Sequence, residues 1–162
     1  MAEHTSAAEE LAAAVAAMAS FQQVTQQADA KAGTMVTVHV GLAAVVATKV
    51  GSVGAPAPTE PVAVLFWLAT LAYLLGFTMS GYLLVQVIRP RTGRHPAPNR
   101  FSLDVADHAG ASGDRLAAQA WATADAIARI ASLKNRYTAR AVGWVAGMVV
   151  AAAIWLVLAG AT

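Results

Sequence analysis

Apolar residues follow two patterns along this chain. In three places they dominate with almost no charge, from Gly33 to Val50, from Val62 to Ile88 and from Ala141 to Ala161. In two others they recur at three- and four-residue steps among polar residues, the spacing of one helix face. The first stepped stretch carries Leu11, Val15, Met18, Phe21 or Gln22, and Thr25, and ends in the glutamines 22, 23, 26 and 27. The second carries Leu116, Ala120, Ala124, Ile127, Ala131 and Lys134. Neither contains a glycine or proline before the apolar run that follows it, so each predicts a helix passing straight into that run.

The lengths suit a bilayer. At ~1.5 Å per residue the first run spans ~27 Å, the second ~40 Å and the third ~31 Å, against a hydrocarbon core about 30 Å thick. The second run must therefore tilt or protrude. Trp67, Tyr73 and Tyr82 lie toward its ends, partly in keeping with an aromatic belt.

Punctuation between the runs supports the same division. Ser6-Ala7-Ala8-Glu9 fits a capping box, in which Ser6 and Glu9 satisfy each other's amides. Gly51 to Pro61 reads as a turn, with Thr59 capping the next helix and Pro61 in its first turn. Arg89-Pro90-Arg91 stops the second run. Arg91 to Asn99 is a proline- and arginine-rich loop, and Asp114 is placed to cap the second stepped helix. Phe101, Leu103 and Val105 alternate with polar residues over too short a span to choose between strand and turn.

The prediction is an all-α membrane protein with three transmembrane helices, two of them extended into a cytoplasmic helical bundle. It forms a single domain over residues 1–162: cytoplasmic helix 6–32, spans 33–50 and 62–88, cytoplasmic loop and helix 89–140, and span 141–161. Composition agrees, with 57% hydrophobic and only 12% charged residues, where soluble domains carry about 25% charged. The first twenty residues hold Glu3, Glu9 and Glu10 and no basic n-region, so they are not a secretory signal.

The bases give the orientation. Lys31, Arg89, Arg91, Arg94, Arg100, Arg115, Arg129, Lys134, Arg136 and Arg140 fall on one side of the spans and Lys49 alone on the other. Positive residues stay cytoplasmic, which puts the N-terminus inside and the C-terminus outside. Both stepped helices then share the cytoplasm and can bury their narrow stripes by pairing.

Catalytic chemistry is not apparent. The chain has no cysteine, and His4, His39, His95 and His108 lack metal-ligand spacing. There is no nucleophile elbow and no glycine-rich phosphate loop, so no enzyme and no cofactor are expected. Basic residues without interleaved aromatics argue against nucleic-acid binding. His39, inside the first span, reads as a hydrogen-bonded interior residue in preference to a relay. The rows Gly33, Thr37, Gly41 and Gly143, Gly147, Ala151 allow close helix approach, either within one chain or between copies in a homo-oligomer.

Asp29 and Lys31 sit two apart at the first membrane threshold and cannot pair along the helix. Lys134, Asn135, Arg136 and Tyr137 sit at the matching threshold of the third span. Taken together they suit a small anionic ligand: the bases can take a phosphate and Tyr137 can stack on a base.

These residues carry a resemblance. Ala28-Asp29-Ala30-Lys31-Ala32 leading into a span, Val87-Ile88-Arg89-Pro90-Arg91 closing one, then Asn99-Arg100-Phe101, and Asp125 to Lys134 entering the last, resemble the small membrane effectors of Pycsar antiphage defence. The resemblance implies an inner (plasma) membrane effector with a companion cyclase. The cyclase would make cyclic CMP or cyclic UMP, and the effector would bind it through its cytoplasmic helices and impair the membrane. The competing reading is a structural or adaptor membrane protein whose cytoplasmic helices bind a partner.

Overall fold

The computed structural model describes residues 6–52, 56–57, 62–90, 99–101 and 112–160. These residues form three helices, α1 Ala7–Val50, α2 Val62–Ile88 and α3 Gly113–Gly160, and no strand. All three are long and apolar enough to cross a membrane, as in a multi-pass membrane protein. The expected roles of Thr59, Pro61, Arg91, Arg94, Leu103 and Val105 fall outside the described residues.

The helix starts follow from local chemistry. Ser6 N donates to Glu9 Oε2 at 2.8 Å and Glu9 N donates to Ser6 Oγ at 3.3 Å, the two halves of the predicted capping box. At α3 the first helical bond runs from Leu116 N to Ser112 O at 3.1 Å. Ser112 therefore occupies the capping position expected of Asp114, and Asp114 lies within the first turn, where a carboxylate favours the positive end of the helix dipole.

Each helix turns inward one seam of strict three- and four-residue steps, its positions buried or half-buried. On α1 it runs Ala7, Leu11, Ala14, Met18, Phe21, Thr25, Ala28, Ala32, Met35, His39, Leu42, Val46. On α3 it runs from Ala117 and Ala120 through Ala131, Lys134 and Thr138 to Met148, Ala152 and Trp155. On α2 it is Phe66, Ala69, Tyr73, Gly76, Ser80, Leu83 and Val87. This is the heptad repeat, under-wound relative to a straight helix, that keeps one face turned toward a packing partner. Two expectations shift by one residue: Val15 is 45% exposed and Ala14 takes the seam, and Ala117 is buried where Leu116 is only half-buried.

The chain divides into two compact units. One comprises residues 1–28 and 90–135, the other residues 29–89 and 136–162, so α1 and α3 each pass from one unit into the other.

Among the described residues of the first unit the buried apolar residues are alanines: Ala14, Ala28, Ala117, Ala120, Ala124 and Ala131. Alanine seams let helix axes approach to the short end of the usual 8–10 Å range, with backbone contact replacing side-chain bulk. The helix starts are correspondingly close, since a Cβ on Gly113 would lie 3.2 Å from Ala7 Cβ. Asn99 is also buried here, its Nδ2 donating to Thr123 Oγ1 at 3.1 Å and its Oδ1 accepting from Phe101 N at 2.9 Å.

The second unit is a three-helix bundle with two packed layers. Val46, Phe66, Tyr73, Met148 and Trp155 belong to one layer, and Ala32, Leu83, Leu84, Val87 and Ala141 to the other. The start of α2 packs on the far ends of α1 and α3, and its end packs where they come in, so α2 runs antiparallel to both. Outward-facing Val64, Leu65, Trp67, Leu68, Leu71, Leu74 and Val85 of α2 are half or more exposed, as a lipid-facing surface requires. Tyr73 is buried at 8%, so of the three proposed belt aromatics only Trp67 and Tyr82 face outward.

Candidate functional site

The six ligand candidates lie where α1 and α3 change units. Asp29, Lys31, Arg136 and Tyr137 belong to the three-helix unit, Lys134 and Asn135 to the other. Within the three-helix unit, Lys31 and Arg136 are exposed, while Tyr137 is half-buried against the layer that contains Ala32. Lys31 directly precedes Ala32, so α1 brings its lysine to the level at which α3 carries Tyr137. Asp29 is exposed and engaged in an interaction. Chemically, this end of the unit offers cations to an anion beside an aromatic ring.

Lys134 behaves differently. It occupies a seam position of α3 in the first unit, is only 8% exposed, and is engaged in an interaction. A buried ammonium persists only when it is paired or hydrogen-bonded. Its ammonium is therefore already engaged within the chain. Asn135 is exposed.

A second polar group lies deep in the three-helix unit. His39 and Ser80 occupy seam positions of α1 and α2, with 9% and 0% exposure. Ser80 Oγ lies 3.1 Å from His39 Nδ1 and 2.6 Å from the Gly76 carbonyl oxygen. The shorter contact takes the hydroxyl proton, which leaves the ring Nδ1–H donating to Ser80 Oγ. The imidazole also stacks on Phe77, with centroids 4.1 Å apart at 23°. Gly81 lies against it, since a Cβ there would stand 3.6 Å from His39 Nε2, an ordinary van der Waals contact. His39 is thus the hydrogen-bonded interior residue that its setting in the span suggested.

Ser80 was not legible as its partner, although a serine in step with the α2 seam was the available signal. Ser80→Ala should cost about 0.6–2 kcal/mol, the range for hydrogen bonds between membrane helices. Thermal unfolding in detergent measures this, and a variant as stable as the parent would show that the pair adds nothing.

The glycine rows are resolved as well. A Cβ on Gly33, Gly41, Gly143 or Gly147 would meet nothing within 4 Å, so these glycines do not serve packing within the described chain. The close-contact glycine is Gly76, where a Cβ would stand 3.0 Å from Met148 Cβ. Among the described residues no three His, Asp or Glu side chains gather as a metal site would require.

Comparison with known proteins follows the same outline as the helices. A sequence model described as the Pycsar effector protein domain matches residues 13–161, which takes in all three spans and all six ligand candidates. No curated protein and no solved structure matches.

Proposed function

The chain belongs to the Pycsar effector family, whose members are effectors of antiphage defence, and from that membership we propose that it is a receptor for a cyclic pyrimidine mononucleotide. Cyclic CMP or cyclic UMP, made by a companion cyclase, binds at the thresholds where α1 and α3 meet the bilayer, and the protein then impairs the inner membrane. The observation that carries this reading is the match over residues 13–161. The exposure of Lys31 and Arg136 beside half-buried Tyr137 supports it.

In this reading Lys31 and Arg136 take the cyclic phosphate through charge-assisted hydrogen bonds, and Tyr137 offers a face to the pyrimidine. Asp29 accepts from ribose or base. Lys134 and Asn135, further candidates on α3, follow the same helix. The ligand alters the membrane only by binding one arrangement of the helices better than another. The N-terminus and the basic end face the cytoplasm, where the nucleotide is made, and the C-terminus lies outside. The protein acts by binding and not by catalysis, and it needs no cofactor.

Self-association completes the proposal. The open faces around Gly33, Thr37 and Gly41 and around Gly143 and Gly147 suit helix contacts between copies. The most apolar window of α1 is only 11% buried, against 28% for α2 and 33% for α3, so α1 has the most surface left to cover.

The test is a thermal-shift titration of the purified full chain with cyclic CMP, cyclic UMP, cyclic AMP and cyclic GMP. A shift with one pyrimidine nucleotide is expected. No shift with any of the four rejects the receptor reading and leaves the adaptor reading, which predicts stabilisation by a protein partner.

A further inference from the structure

The basic end of the three-helix unit carries more charge than ligand capture requires. Four exposed bases stand there: Lys31 on α1, Arg89 just past α2, and Arg136 and Arg140 on α3. They surround a single packed layer. Ala32, Val87 and Ala141 touch within it, with Lys31 and Arg140 one residue from that layer, Arg89 two residues beyond it and Arg136 about one turn from Ala141. Asp29 is the acid of this end, and the opposite end of the unit has Lys49.

Just below two of the arginines the surface turns apolar. Arg89 follows Ile88, 54% exposed, and lies one turn from Val85, 61% exposed. Arg140 lies one turn from Trp144, 37% exposed. A cation set directly above outward-facing apolar side chains matches a molecule with a negative head and a hydrocarbon tail. A free phosphate would use the first feature only.

We propose that Arg89 and Arg140, with Lys31 and Arg136 beside them, form a collar that binds the headgroups of anionic phospholipids. Acyl chains lie on Val85, Ile88 and Trp144, and phosphates meet the guanidiniums, which hold phosphate oxygens in a fixed fork. The lipid contacts bases from all three helices and so clamps the layer at which α1 and α3 enter the membrane. Each base near such a surface contributes enough for roughly a fivefold gain in affinity, so losing both Arg89 and Arg140 corresponds to about 25-fold. Lys31 and Arg136 are shared with the proposed nucleotide site, whereas Arg89 and Arg140 are not, so the collar is tested on those two arginines.

The experiment uses the full chain in mild detergent, titrated with phosphatidylglycerol or phosphatidylcholine and followed by native mass spectrometry and thermal unfolding. The parent protein should retain phosphatidylglycerol preferentially and gain stability from it, and about 0.5 M salt should weaken that preference, because exposed charges are screened. The double variant Arg89→Gln/Arg140→Gln should lose the preference while unfolding normally in phosphatidylcholine. Lys49→Gln should keep it, and Arg89→Lys/Arg140→Lys should keep most of it. An unchanged preference in the Gln double variant, or an equal loss in Lys49→Gln, overturns the collar. Displacement of the lipid by inorganic phosphate overturns it too, since that identifies a site for soluble phosphate.

Discussion

Replacing Gly76 with alanine is expected to destabilise the three-helix unit more than any other change of one methyl group. The new Cβ would stand 3.0 Å from Met148 Cβ, 3.2 Å from its Cα and 3.3 Å from its backbone nitrogen. Two of these three neighbours are main-chain atoms of α3, so a rotamer change cannot relieve the contact. Met148 is itself fully buried. The helices must separate, and with them the neighbouring His39–Ser80 pair, because Ser80 also bonds to the Gly76 carbonyl. Overpacking of this kind costs about 1–3 kcal/mol, and the backbone contacts place Gly76→Ala toward the upper end. Gly41→Ala and Gly147→Ala meet open space and should leave the unfolding of the isolated protomer unchanged. Unfolding midpoints of the three variants in detergent provide the comparison. A Gly76→Ala protein as stable as Gly147→Ala would contradict the close approach of α2 and α3.

Loss of Lys31 is expected to abolish the response to the nucleotide while the protein still inserts and folds. Lys31 is exposed, so Lys31→Ala removes a charge without opening a cavity in the seam. A hydrogen bond from an ammonium to a phosphate is worth about 1.5–3 kcal/mol, which corresponds to roughly 10- to 150-fold weaker binding. Cells expressing the companion cyclase with Lys31→Ala should show no nucleotide-triggered growth arrest and should support phage replication and lysis, and the thermal shift with the nucleotide should vanish. An unaltered shift would remove Lys31 from the site. Lys134→Ala is a less informative variant. At 8% exposure in the α3 seam, Lys134 is buried and engaged, and its loss confounds binding with folding.

How much of this was legible in the sequence differed with the physics involved. The three spans were legible because length and absence of charge together admit few alternatives, and α2 has the predicted bounds, Val62–Ile88. The continuity of α1 and α3 followed from missing helix breakers, and the start of α1 from Ser6 and Glu9. The choice of buried face was harder. Ala14 is preferred to Val15 and Ala117 to Leu116 because the first unit packs backbone against backbone, and the larger side chain is the one excluded. Hydrophobic periodicity points the wrong way where close approach matters more than apolar area.

The candidate site was legible as a set of charges at two thresholds. Which of them face outward depended on a one-residue phase that the charges do not encode. Ser80 and Gly76 escaped notice because a small residue in an apolar span is unremarkable until its position in the seam is known.

The unbroken seams of α1 and α3 also restrict how these helices can change in length. One inserted residue turns everything beyond it by about 100°, carrying His39 or Met148 out of the interior. Seven residues, two full turns, restore the facing side chains almost completely. Related chains whose α1 or α3 differs in length should therefore differ by multiples of seven, while the segments joining the helices are free to vary residue by residue.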